Sequence, residues 1–219
     1  MATVRKWSGV AVAMQSTLGA AKTITAIAVG TTATVTATHD FVAGDYVVFN
    51  VQGMHQIDKR VFRVLSVSTT VSFVIEGSGG ASLDTSTFNA FTSGTCNKIT
   101  FGTSITTATS MSASGGDFDF IDTTTIHDLI KTQVPGTANP LTYNFDNIWD
   151  AADAGQIAMK SASDAQAERA FKFTFGTGGP IMVGNGYVGF TGAPTGSAQD
   201  KVVTPAVFTA YGSPTYYAS

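Results

Sequence analysis

Three aspartates, Asp117, Asp119 and Asp122, fall close enough together to resemble a calcium-binding loop. Calcium takes six to eight oxygen ligands, and a helix–loop–helix site also needs a glycine at its sharp turn. Here Ile121 interrupts the ligand pattern and that glycine is missing, while Phe118 and Phe120 alternate with the first two aspartates. Alternation with period two puts both phenylalanines on one face of a strand and both aspartates on the other. Gly184-Asn185-Gly186-Tyr187-Val188-Gly189 matches G-x-G-x-x-G. A dinucleotide site requires that loop to open a helix whose N-terminus meets the pyrophosphate. Gly192 and Pro194 come directly after it and forbid one, so these glycines are expected at bulges or close backbone contacts.

The remaining reactive side chains are scattered. Cys96 comes after Gly94 and Thr95 and reads as a plain loop residue, because a nucleophilic cysteine needs a base and an electropositive setting. As the single cysteine it excludes an internal disulfide. His39, His55 and His127 lack ligand spacing. The first two read as turn-edge residues, and His127, beside Asp128, as a subunit contact. There is no G-x-S-x-G, P-loop or H-E-x-x-H segment. No catalytic residue, metal or cofactor is therefore expected.

Composition points the same way. Charged residues are 12% of the chain, about half the usual share. Threonine, serine, glycine and alanine fill the gap, and Thr with 15 Phe favours strands. The net charge of -3 leaves no basic face for gripping nucleic acid. Arg5 and Lys6 before Val10–Met14 mimic an export leader, but Gln15-Ser16-Thr17 ends the apolar run too soon, and a strand over residues 4–15, with Val4 and Trp7 among its apolar members, is expected instead. No stretch is long enough to span a bilayer, so no membrane partner is expected.

Residues 23–95 form a block of short strands: Thr23–Val29, Ala33–Thr38, Tyr46–Val51, Val61–Val67 and Val71–Glu76. Tight turns and the absence of helix suggest a small closed barrel. A strand pattern resumes over residues 98–112. After it come Asp122 and a Thr-rich corner, a helical turn over Ile126–Ile130, and Pro135-Gly136 suited to the centre of a type II turn. Leu141–Trp149 reads as a strand with Leu141, Tyr143, Phe145 and Ile148 facing in. A helix should start at Asp153, with Gln156 completing a capping box and Ala154, Ala158, Ala162 and Ala165 on its inner face beside Ile157. Phe171, Phe173 and Phe175 alternate as a strand, and further strands are expected over Ile181–Phe190 and Val202–Tyr211. The tail from Gly212 is expected to pair with a neighbour or fray.

The corner and the chain beyond it resemble the major tail tube proteins of long, non-contractile-tailed (siphovirus) bacteriophages. The residues that carry the likeness are Gly115-Gly116, Phe120–Thr124, Ile126-His127-Asp128, Val134-Pro135-Gly136, Tyr143-Asn144-Phe145, the helix, Phe171–Phe175 and Ala198–Val202. The resemblance implies a mainly β protein: a β-sandwich tail-tube fold, residues 1–22 and 96–219, with one flanking α-helix. Residues 23–95 are similar to a small β-barrel module named after the FCCH domain of ubiquitin-activating enzymes, on His39, Gly44–Val47, Gly53-Met54, Arg60–Phe62 and Val64. That likeness implies an inserted barrel on the outer surface and no ubiquitin chemistry. Six copies would close into a ring, and rings would stack into a tube carrying double-stranded DNA from capsid to host without sequence-specific binding. Further implied partners are the tail terminator, distal tail and tape measure proteins, in the virion tail and, during assembly, the host cytoplasm. The subunit-contact loop expected from the long polar corner comprises Asp122, Thr123, Thr124, Ile126, His127, Asp128, Pro135 and Gly136. The alternative is a surface-exposed phage module binding a host glycan or receptor through barrel aromatics such as Tyr46 and Phe49.

Overall fold

The structure, a computed structural model, describes residues 9–68 and 70–218. In chain order the elements are β1 (Val10–Leu18), β2 (Lys22–Ile27), β3 (Thr34–Ala37), β4 (Tyr46–Gln52), β5 (Val61–Ser68), β6 (Ser72–Ile75), β7 (Ser93–Ile105), β8 (Ala108–Ser114), β9 (Phe118–Asp122), β10 (Gln133–Ala138), β11 (Leu141–Ile148), α1 (Ala154–Asp164), β12 (Glu168–Phe175), β13 (Ile181–Phe190), β14 (Val203–Ala210) and β15 (Thr215–Tyr217). Mainly β topology with one helix is as expected from the composition. The part of the expected first strand that includes Val4 and Trp7 lies outside the described residues. Its remainder runs on through Gln15-Ser16-Thr17 to Leu18, with bulges at Met14/Gln15 and Gln15/Thr17 that absorb the polar residues.

The barrel is closed by six strands in the order β2-β3-β6-β5-β4-β7, with β7 returning to β2. Closure leaves its strands no free edge and gives every inward side chain a partner. Phe49, Phe62, Val35, Val47 and Ile75 are fully buried there. The sixth strand comes from beyond the block of short strands. Thirteen-residue β7 pairs with β4 and β2 through its first half and with β1 over Ile99–Ile105, so it crosses the expected boundary at 95/96 and belongs to both units. Cys96 is therefore no loop residue: it lies in β7, fully buried in the barrel core, and burial pushes its thiol up to about 12. His39 does lie in the turn-bearing connection between β3 and β4, but buried rather than at the surface. It is 3% exposed, stacked on Phe41 with ring centroids 5.0 Å apart, and its Nδ1 accepts the Phe41 N–H at 3.1 Å. His55 does sit in a turn.

From β7 the sheet continues β1-β12-β13-β14-β11-β8 and curves so that its far strands face its near ones. Phe145 of β11 stacks on Phe173 of β12 at 6.0 Å, and Phe208 of β14 meets Phe171 at 4.5 Å. These rings, with Met14, Met159, Met182 and Phe190, form the second core. The expected strand over residues 98–112 is two strands, because Thr106-Thr107 separate β7 from β8, which pairs with β11. On β11 the inward series is Tyr143, Phe145 and Asn147, and strict alternation turns Ile148 out to 45% exposure.

The helix starts where expected. The Asp153 side chain accepts the Gln156 N–H at 2.8 Å. The capping box is not reciprocal, however. The Gln156 amide donates to the Ile148 carbonyl at 2.6 Å and to Thr107 Oγ1 at 3.1 Å, which ties the helix start to two strand ends. The buried face is Gly155, Gln156, Met159 and Ala162, whereas Ala154, Ala165 and Ile157 point to solvent. Gly155 sets this rotation, since a Cβ there would lie 2.8 Å from the Ser104 carbonyl.

The tail neither frays nor waits for a neighbour: β15 pairs with β13, and Tyr217 is 1% exposed. Its hydroxyl accepts the Arg63 N–H at 2.8 Å, and the Thr215 hydroxyl donates to the Val61 carbonyl at 3.0 Å. These bonds, with Lys59 at 3.2 Å from Glu168, join barrel to sheet. The G-x-G-x-x-G segment lies inside β13, and a Cβ at Gly186 would collide with the Thr209 carbonyl. The glycine there serves a close backbone approach, as its context suggested.

Candidate functional site: an exposed two-stranded arm

Between β8 and β11 the chain leaves the sheet as a hairpin of its own. Gly115 and Gly116 have φ of 83° and 84°, and a Cβ at Gly115 would collide with the Pro140 carbonyl. Only glycine lets two strands leave so close together with that backbone. Above this neck β9 pairs with β10 in a separate two-stranded sheet, with Gln133 opposite Asp122 and Pro135 opposite Phe120. Pro135-Gly136 therefore do not form a type II turn. They lie within β10, where an unpaired outer edge tolerates the missing proline N–H and the register shifts just beyond. The expected helical turn at Ile126–Ile130 is likewise absent: one tight turn, with the Asp128 N–H on the Thr125 carbonyl at 3.1 Å, gives way to bends.

The tip is held by local polar bonds. The Thr123 N–H donates to the Thr132 carbonyl at 2.9 Å, and Asp122 Oδ1 accepts the Thr124 N–H at 2.9 Å. Asp128 Oδ2 accepts the N–H of Thr125 at 2.8 Å and its hydroxyl at 2.9 Å. These bonds favour the ionised carboxylates. The Thr124 side chain and N–H hold Asp122 below its ordinary value, and the Thr125 N–H and hydroxyl do the same for Asp128. The eight loop residues expected to make contacts thus share one arm, with six in and around its tip and Pro135 and Gly136 along its shaft.

The unexpected feature is apolar. Ile126 is 97% exposed and Leu129 101%. Ile130, Phe118, Phe120, Ile121 and Val134 are also exposed, and of residues 115–140 only Gly136 is even partly covered. Phe118, Phe120, Ile121, Leu129 and Ile130 belong to this surface although the expected contact loop left them out. The available signal was their setting: large apolar side chains amid Asp, Thr and Gly, with no third strand nearby to cover them. A two-stranded hairpin is marginal alone in water, and an apolar surface this continuous marks a contact site. Among the described residues no group of three or more His, Cys, Asp or Glu side chains converges as a metal site, and no helix is long and apolar enough to cross a membrane.

No curated protein matches the chain significantly. The family model described as "Phage tail tube protein, TTP" matches residues 52–219, from the last residue of β4 to the tail. That is well over half of the chain: it belongs to the phage tail tube protein family, as a structural virion protein and not an enzyme.

Proposed function

We propose that this chain is the repeating subunit of a tail tube wall, six copies closing into a ring and rings stacking into a channel that conducts double-stranded DNA. The observation that carries the reading is the arm, whose Ile126 and Leu129 find no cover among the described residues. A second observation supports it: among the described residues β8 pairs on one side only, with β11, and an exposed edge strand calls for another chain. The net charge of -3 suits a channel that repels phosphate and lets the duplex slide. The tail terminator, distal tail and tape measure proteins are the other partners this role requires, in the virion tail and during assembly in the host cytoplasm.

In this reading residues 23–95 are the insertion, carried on the outside of the tube, and its likeness to the FCCH module is one of architecture. A glycan- or receptor-binding role for the barrel gains no support. Phe49 is fully buried, and Tyr46 is half-buried against Phe101 and Tyr217. The test is to concentrate the purified protein and image it by negative-stain electron microscopy. Rings of six and tubes are expected, and a persistent monomer at high concentration would remove the reading.

A further inference from the structure

The arm leaves one end of its parent strands, and an apolar groove lies at the other. β8 runs into the arm at Ser114 and begins at Ala108, opposite Asn147. β11 starts at Leu141 and ends at Ile148, opposite Val203. Eight residues of β11 at about 3.3 Å each put the two ends about 25 Å apart. At the far end Trp149, Ile157, Phe190 and Gly192 line a cavity of about 300 Å³. Trp149 and Ile157 remain 40% and 55% exposed. The groove is firmly framed: the Trp149 indole N–H donates to the Gly192 carbonyl at 3.1 Å and its backbone N–H to the Val202 carbonyl at 3.0 Å. The Gln156 bonds to Ile148 and Thr107 hold the start of α1 beside it.

We infer that this groove receives the arm tip, Ile126 and Leu129 foremost, of a second copy of the chain. The inference rests on the tube reading above and names the acceptor within it. The chain's own tip springs from the opposite end of β11 and does not fill the groove, since Ile126 and Leu129 are almost wholly exposed. Donor and acceptor are different surfaces on opposite ends of one subunit, so the contact is head-to-tail, the kind that closes into a ring or propagates along a filament according to the rotation between copies. Size agrees: residues 115–140 lie within the roughly 20–30 residues a side of a standard interface, with the tip as central anchor and the shaft as rim. The chemistry is chiefly apolar on apolar, Ile126 and Leu129 meeting Trp149, Ile157 and Phe190, although Asp150 and Lys160 also line the groove.

The test uses two full-length variants, Leu129→Cys and Ile157→Cys, both altered at exposed positions, with Cys96 buried and silent. They are mixed, assembled and treated with a short bis-maleimide. Covalent dimers are expected from the mixture and not from either variant alone. Normal tubes without that cross-link, the groove being empty or held by another tail protein, overturn this inference and leave the tube reading intact. Wild-type protein that forms no tubes removes both. In addition, Ile157→Asp should raise the critical concentration for assembly about tenfold or more, with the monomer's unfolding midpoint unchanged. Assembly like wild type would also overturn the inference.

Discussion

Barrel and arm are made from the same residue types in the same alternation, with opposite outcomes. Phe49, Phe62 and Phe73 on barrel strands are at most 1% exposed, whereas Phe118 and Phe120 on the arm are 54% and 63% exposed. Both regions twist and pair as antiparallel strands, so local propensity does not separate them. The number of neighbours does. A barrel strand has two partner strands and an enclosed interior, while an arm strand has one partner and solvent on both faces. Burial is thus decided by topology. Where topology leaves phenylalanine, leucine and isoleucine outside, the exposed surface is the kind that marks an interaction site.

The comparison breaks most plainly in the core. Phe49→Ala should cost about 3–5 kcal/mol of monomer stability in urea unfolding, since it empties a fully buried ring site in the barrel. A loss under about 1 kcal/mol would mean the barrel is looser than its burial implies. Next in size is the seam between barrel and sheet. Tyr217→Phe removes the acceptor for the Arg63 N–H and should cost about 1 kcal/mol. Faster exchange of the Arg63 amide is the matching local readout; an unchanged rate would show that the tail does not hold the barrel. On the arm the balance reverses. Asp122→Ala with Thr124→Ala should leave monomer stability within about 0.5 kcal/mol while weakening assembly. Equal losses of both would place the tip in the fold rather than in the contact.

Much of this division is readable from the residues alone. Val61–Val67, Phe171–Phe175 and Ile181–Phe190 declare themselves as strands by alternation, and Asp153 marks the helix start by its capping chemistry. The type of each element is therefore legible. What is not legible depends on partners distant in sequence. β7 reads as the start of a new segment because nothing local shows that Cys96 pairs with Lys22 across the barrel closure. Pro135-Gly136 has turn composition, yet an edge position opposite Phe120 makes it strand. The helix face departs from the alanine row because close approach at Gly155 rotates the helix so that Met159 meets the core. Length and polarity single out the loop at the arm tip, but the exposure of its Ile126 and Leu129 follows from the lack of a third strand beside the hairpin, which no local pattern shows.

The smallest expected effect is also the most local. Asp122 and Asp128 are exposed, so their hydrogen bonds shape the tip without contributing measurably to global stability. Both carboxyls are held below their ordinary value in the folded arm, by the Thr124 and Thr125 groups that bond the ionised form. A depressed folded pKa contributes order that is fully present above the unfolded value, about 3.9, and is lost as pH falls through the lower folded value. The tip should hence stay ordered from neutrality to about pH 5 and loosen only below about pH 4. In the unassembled monomer, the amide proton shifts of Thr124 and Thr125 should each titrate with a midpoint below the ordinary aspartate value. Asp122→Asn should abolish the Thr124 transition and spare that of Thr125, because the two carboxylates bond different residues. Midpoints at or above the ordinary value would mean that the tip is not held by these bonds and that the order of the contact loop comes only from the partner that covers it.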